Sequence, residues 1–129
     1  MKIMIVDDST MMRKVIERAL RQAGMNLTEV IQANNGLEAL DFLRESVGSE
    51  PAFDLILSDI NMPTMDGLEF VERRKQEGLA LGVPVVMITT EGSSPHVMRA
   101  LAAGAKGYIC KPFTADQIKA CVTPLLNAA

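Results

Sequence analysis

Residues 3–8 read IMIVDD, four apolar residues that run directly into two aspartates. Three later segments repeat this pattern: residues 54–59 read DLILSD, residues 85–89 read VVMIT and residues 107–111 read GYICK. Short, continuously apolar runs are typical of strands that are buried on both faces of a parallel sheet. If these runs are neighbouring strands, the polar residues that follow them meet at one edge of the sheet.

Between the apolar runs, hydrophobic residues recur with the spacing of amphipathic helices. Met12, Ile16 and Ala19 mark the buried stripe of a first helix, and Ile118 and Val122 belong to the stripe of a last one. With a further strand at residues 29–33, the chain shows five strands and five helices in strict alternation. This order predicts an α/β fold, a doubly wound five-stranded parallel sheet with helices on both faces.

Length and composition set limits on the class of protein. The 129 residues, 48% hydrophobic, favour a single domain over residues 1–129, and the net charge of -3 without a basic block argues against nucleic acid or an anionic membrane as partner. No apolar run has the length of a membrane span, and the start of the chain carries no signal peptide, so we expect a cytoplasmic protein. Cys110 and Cys121 are predicted to be reduced core thiols, with a redox pair as the alternative.

The polar residues at the predicted sheet edge indicate a particular chemistry. Asp7, Asp8 and Asp59 follow two of the apolar runs, and two carboxylates about 4 Å apart repel by roughly 4 kcal/mol at an effective dielectric near 20. A hard divalent cation, Mg²⁺ in particular, is the natural counter-charge, and Lys111 supplies a second one. One carboxylate can then attack phosphorus, with Asp8, Thr89 and Lys111 placed to provide the metal, hydroxyl and ammonium that a transferred phosphoryl group requires.

Five motifs, in this order and spacing, resemble the receiver domains of bacterial response regulators. They are VDDS at residues 6–9, SDINMPTMDG at 58–67, ITTE at 88–91, GAKGY at 104–108 and KPF at 111–113. The resemblance covers essentially the whole chain and is greatest to the CheY-like, single-domain, chemotaxis-type members. It implies the (βα)5 flavodoxin-like or CheY-like arrangement, and a module that catalyses only its own phosphorylation and dephosphorylation.

The resemblance also implies a role for each residue of the site. Asp59 would accept a phosphoryl group from a partner histidine kinase. Asp8 would bind Mg²⁺ directly, Asp7 through a water, and Asn61 through its backbone carbonyl. The phosphoryl group would accept a hydrogen bond from Thr89 and pair with Lys111.

A second set of implied features concerns the response to phosphorylation. Tyr108 would turn inward when Thr89 moves to the phosphoryl group, and the Lys111–Pro112 bond would be cis. The fourth helix, fifth strand and fifth helix would then bind a downstream protein, with a flagellar motor switch protein as the candidate that the resemblance suggests, and the chain is expected to act as a monomer. Thr90 departs from the family pattern, which often has a smaller residue such as alanine there, so we expect its bulk to narrow the approach of water to the acyl phosphate. Glu91, near Asn61, is expected to affect that water.

Other interpretations remain open at this stage. Within the family, the chain could be a phosphorelay intermediate or a phosphate sink. From other classes, an Asp-nucleophile phosphatase would carry an Asp-x-Asp arrangement where this chain has adjacent Asp7 and Asp8, and a flavin protein would need a Ser/Thr/Gly-rich loop where residues 9–12 read STMM. Tyr108 could be a packing residue, and His96, the only histidine, is expected at the surface.

Overall fold

The computed structural model describes residues 1–49, 52–90 and 95–127, in which strands and helices alternate as the sequence predicts. The order is β1 (Lys2–Val6), α1 (Thr10–Gln22), β2 (Glu29–Ala33), α2 (Gly36–Glu45), β3 (Leu55–Asp59), α3 (Gly67–Glu77), β4 (Val85–Thr89), α4 (Pro95–Ala102), β5 (Gly107–Cys110) and α5 (Ala115–Asn127). No helix in these three segments is both long and apolar enough to cross a bilayer.

All five strands form one parallel sheet in the order β2-β1-β3-β4-β5. The chain winds outward from β1 to β2, returns past β1 to β3, and continues in the opposite direction to β5. The doubly wound fold is therefore confirmed. In such a sheet, ligands bind outside the carboxyl ends of the strands at the point where the winding reverses, which here lies between β1 and β3.

The central strands are apolar on both faces because each face carries its own core. Ile3 and Ile5 of β1 pack with residues of α1 and α5, whereas Met4 and Val6 pack with residues of α2, α3 and α4. Each of these β1 side chains is completely buried. Burial of a side chain of this size contributes about 1.5–3 kcal/mol, so β1 and β3 form a rigid support for the residues that follow them.

The expectation that both cysteines are core thiols is wrong for Cys110. Both thiols are free, but Cys110 is exposed and Cys121 is half-buried. β5 is an edge strand, in which Ile109 faces the core while Tyr108 and Cys110 point to the opposite face and remain exposed. Glu91, which the sequence places near the site, lies outside the described residues.

The start of α3 lies unusually close to the end of β3. The Gly67 N–H donates to the carbonyl of Ile60 at 2.8 Å. A Cβ atom on Gly67 would lie 2.0 Å from the carbonyl oxygen of Asp59, which is backbone and cannot rotate away. Only glycine therefore lets α3 begin directly beside Asp59.

Replacing Gly67 by alanine is expected to destabilise the protein by about 3 kcal/mol, because the new methyl group must displace the backbone that carries Asp59. Gly82→Ala is the matched control, since a Cβ there meets nothing within 4 Å. Urea unfolding followed by circular dichroism measures both. Equal stability of the two variants would contradict this account of the α3 start.

Candidate functional site

The pairing of the strands brings the predicted site residues to one edge of the sheet. Val6 of β1 pairs with Ser58 of β3, so Asp7 and Asp59, each one residue further on, lie at the same level. Ile88 of β4 pairs with Asp59, which places Thr89 one step beyond it. The carboxyl ends of three neighbouring strands thus supply two carboxylates and a hydroxyl.

Lys111 joins this group from the end of β5. Its ammonium lies 3.5 Å from Asp7 Oδ2 and 3.4 Å from Asp59 Oδ2, and its side chain is largely buried. The backbone N–H of Lys111 donates to the carbonyl of Thr89 at 2.7 Å, which fixes the backbone of Lys111 against the end of β4. The Lys111–Pro112 bond is cis, as predicted. One cation thus bridges two buried carboxylates.

The second oxygen of each buried carboxylate is held by the backbone. The Ser9 N–H donates to Asp7 Oδ1 at 2.8 Å, and the Ile60 N–H donates to Asp59 Oδ1 at the same distance. Ser9 is also the N-cap of α1, accepting from the Met12 N–H at 3.1 Å. Both carboxylates therefore have fixed orientations, with their Oδ2 atoms directed at Lys111.

Asp7 is in an unfavourable environment for a carboxylate. It is 1% exposed, and its Oδ2 atom accepts no hydrogen bond from any residue that the structure describes. Burial raises the pKa of Asp7, and the charges of Asp59 and Asp8 raise it further, whereas the Ser9 N–H and Lys111 act in the opposite direction. The net effect is a pKa above the ordinary aspartate value, with burial of the carboxylate as the largest cause.

These carboxylates fit a divalent cation. Asp7, Asp8 and Asp59 each offer an oxygen, and the three oxygens lie within 4.8 Å of one another. The buried Asp7 Oδ2 atom lacks a hydrogen-bond donor, and Asp8 is exposed, so that solvent can reach the cluster from one side. A few carboxylate oxygens with room for waters match the coordination of Mg²⁺.

The remaining predicted residues lie around this cluster. Thr89 is buried at 3% exposure, while Thr90, the next residue, is exposed. Asn61 is exposed in the loop after β3. Tyr108 is 43% exposed, so its ring is in contact with solvent. His96 is exposed in the first turn of α4, as expected.

Sequence reasoning missed one buried residue beside the site, Arg13 of α1. It is 7% exposed, and its guanidinium donates to the carbonyl of Asp7. Its position three residues before the buried Ile16 places it on the inward face of α1, a signal that was available in the sequence.

The fold and the acidic sheet edge together define a doubly wound α/β domain with a candidate cation site at the carboxyl edge of its sheet, and the sequence identifies the family. The chain belongs to the response regulator receiver domain family, whose model matches residues 3–123. It is similar to the chemotaxis protein CheY homolog of Campylobacter jejuni, with 39% identity over 119 residues that cover 92% of this chain and 87% of that protein. It is 37% identical to chemotaxis protein CheY1 of Helicobacter pylori, over 92% of this chain and 91% of that protein.

Solved structures of CheY proteins share the fold. Chemotaxis protein CheY4 of Vibrio cholerae is 34% identical, with a TM-score of 0.77 over 96% of this chain and 97% of that chain. The CheX-CheY-BeF3-Mg²⁺ complex from Borrelia burgdorferi matches with 27% identity and a TM-score of 0.81, over 96% of this chain and 87% of that chain. The chain is therefore a CheY-type receiver domain, a module of two-component signalling, and this membership decides against the phosphatase and flavin-protein alternatives.

Neutralising Asp7 is expected to stabilise the metal-free protein. Because its pKa is raised on folding, the native state holds the Asp7 proton more tightly than the unfolded state does. The Asp7 contribution to stability is therefore present at low pH and is lost as the pH rises from 3.8, its ordinary pKa, through the raised value. Asp7→Asn should raise the Tm at pH 7 by about 3–6 °C, the shift that 1 kcal/mol produces in a domain of this size.

The measurement is thermal unfolding in a chelator at several pH values. Glu29→Gln, an exposed carboxylate at the start of β2, is the control with the same change in charge and should leave the Tm nearly unchanged. A lower Tm for Asp7→Asn than for the wild type at pH 7 would show that the ionised Asp7 carboxylate does not destabilise the fold.

Proposed function

We propose that the protein is a phosphorylation-controlled signalling module that accepts a phosphoryl group from a histidine kinase on Asp59, with Mg²⁺ as cofactor. The observation that carries this proposal is the pairing of Asp59 Oδ2 with Lys111 at 3.4 Å inside a cluster of three carboxylates. A carboxylate with one oxygen held by the Ile60 N–H and the other facing a cation is oriented for attack on phosphorus.

The cofactor proposal follows from the charges of the cluster. Asp8 and Asp59 would bind Mg²⁺ directly, Asp7 through a water, and Asn61 through its backbone carbonyl. When bound, the ion supplies positive charge that offsets the three carboxylates and the oxygens of the incoming phosphoryl group. The unsatisfied oxygen of Asp7 supports this role, as does a relative from Borrelia burgdorferi solved with BeF3 and Mg²⁺.

The transfer step uses the residues in separate roles. A carboxylate oxygen of Asp59 forms a bond to phosphorus while the bond from phosphorus to the kinase histidine nitrogen breaks, and the electron pair of that bond returns to the imidazole. Lys111 changes from a partner of two carboxylates to a partner of the phosphoryl oxygens. The hydroxyl of Thr89, at the end of the next strand, donates to another of these oxygens.

The proposed output is a change of surface. Thr89 would move toward the phosphoryl group, and the exposed ring of Tyr108 would turn into the space beside β4, a population shift between two states. The surface formed by α4, β5 and α5 would then bind a downstream protein. The chemotaxis relatives favour a flagellar motor switch protein, while a role as a phosphorelay intermediate or phosphate sink stays open.

Three further expectations remain proposals. They are a single domain over residues 1–129, a monomer in solution and a cytoplasmic location.

Incubation with a small acyl phosphate and Mg²⁺ tests the phosphoacceptor directly. The wild type should gain the mass of one phosphoryl group. Asp59→Asn should gain none, because the nucleophilic carboxylate is replaced by a neutral amide. Asp54→Asn is the matched control, since Asp54 lies just before the opposite end of β3 and accepts from the Lys2 N–H. Intact-mass spectrometry measures the gain in mass for all three proteins.

The same assay tests the metal. Chelation of Mg²⁺ should abolish the gain in mass, because the negative charge at the sheet edge then repels the phosphodonor. Phosphorylation of Asp59→Asn at the wild-type level would reject Asp59 as the acceptor, and undiminished labelling in chelator would reject the cofactor.

Thr90→Ala is expected to shorten the lifetime of the phosphorylated form by a few-fold, because the exposed Thr90 side chain beside Thr89 restricts the approach of water to the acyl phosphate. Loss of the phosphoryl mass is followed with time after removal of the donor. Thr64→Ser, which trims an exposed side chain in the loop after β3, serves as the control. Unchanged or slower dephosphorylation of Thr90→Ala would refute the steric explanation.

A further inference from the structure

Arg13 is a buried cation whose hydrogen bonds go entirely to uncharged acceptors. Its Nη1 atom donates to the Asp7 carbonyl at 2.5 Å and to Asn34 Oδ1 at 2.9 Å. Its Nε atom donates to Gln32 Oε1 at 2.8 Å, and Nη2 donates to Thr10 Oγ1 at 3.1 Å. Burial of a charge is costly, so a side chain that only filled space here would be more favourable if it were apolar.

The acceptors of Arg13 come from separate parts of the chain. The Asp7 carbonyl belongs to the loop between β1 and α1, while Gln32 and Asn34 lie at the end of β2 and just beyond it. Asn34 is itself anchored, since its N–H and its side-chain amide both donate to Glu38 Oε1 at 3.1 Å. The guanidinium therefore fastens the loop that carries the acidic pair to a fixed neighbouring strand.

The hydrogen bond from Arg13 to the Asp7 carbonyl restricts the orientation of Asp8 more than that of the Asp7 side chain. The Asp7 carbonyl belongs to the peptide group that joins Asp7 to Asp8, so fixing this oxygen fixes the direction in which the Asp8 side chain leaves the backbone. The Asp7 N–H is already held by the Ala33 carbonyl at 3.0 Å, and the Asp7 carboxylate by Ser9 and Lys111. The Asp8 carboxylate, in contrast, accepts no hydrogen bond from the part of the chain that the structure describes.

We propose that Arg13 is a positioning residue for the divalent-cation site, which holds the Asp7–Asp8 peptide so that the Asp8 carboxylate faces the metal. The inference rests on the proposed function, because it assumes that Mg²⁺ binds to these carboxylates. Residues that orient metal ligands without touching the metal typically account for 10- to 100-fold in metal affinity. Arg13 acts on the metal in this way, through a backbone carbonyl and not through its charge.

Isothermal titration calorimetry of the metal-free protein with Mg²⁺ tests the proposal without any phosphorylation. Arg13→Gln should raise the Kd for Mg²⁺ by about 10-fold or more. Arg13→Lys, which keeps one donor for the Asp7 carbonyl, should recover part of the affinity. Arg18→Gln, an exposed arginine on the same helix, is the matched control and should bind as the wild type does. Thermal unfolding in chelator establishes that each variant is folded at the temperature of the titration.

A Kd for Arg13→Gln within twofold of the wild type would overturn the proposal and leave the Mg²⁺ site intact. Absence of Mg²⁺ binding by the wild type would overturn both the proposed cofactor and this inference. If Arg13→Gln does not fold, Asn34→Ala replaces it, because this exposed side chain can be trimmed while the guanidinium loses one of its acceptors. Asn34→Ala should raise the Kd about threefold or more by the same argument, and an unchanged Kd would overturn the proposal.

Discussion

The accumulation of negative charge at the carboxyl edge of the sheet is the constraint on which the rest of the site depends. Asp7 and Asp59 lie at the same level because β1 and β3 pair in parallel, and Asp8 follows immediately. Lys111 contacts both buried carboxylates but leaves the pKa of Asp7 raised. The arrangement therefore favours the arrival of positive charge, and proposed binding of Mg²⁺ turns an unfavourable cluster into a functional one.

The rigid centre of the fold keeps the carboxylates of this cluster close together. β1 is buried on both faces by separate helical layers, and residues of β3 are buried along its full length. Gly67 allows α3 to begin against the carbonyl of Asp59, and backbone N–H groups hold one oxygen of each buried carboxylate. A flexible edge would let the carboxylates move apart, and their charges would then no longer be concentrated where a cation can bind.

The sequence predicts the strands and the sheet edge well because both depend on local pattern. Continuous apolar runs identify the strands, and parallel winding brings their polar ends together. Cys110 shows where this reasoning fails: a run such as GYIC has the composition of a central strand, yet β5 has a neighbour on one side only. The helical spacing of Arg13 from Ile16 places it on the inward face of α1, but the acceptors that make its burial possible, Gln32 and Asn34, lie about 20 positions away in the chain and are not apparent from that spacing. Lys111 was predicted as a counter-charge of the cluster, whereas its exact position between the two buried carboxylates depends on the packing of distant segments.

A crystal structure of the protein with Mg²⁺ and beryllofluoride tests the central claim most directly, because it locates the cation and the phosphoryl analogue together. The account predicts Mg²⁺ bound by carboxylate oxygens of Asp8 and Asp59 and by the carbonyl of Asn61 at about 2.0–2.1 Å, with beryllium bonded to Asp59 and its fluorides beside Lys111 and Thr89. Mg²⁺ bound away from these carboxylates, or an unmodified Asp59 at saturating beryllofluoride, would contradict it.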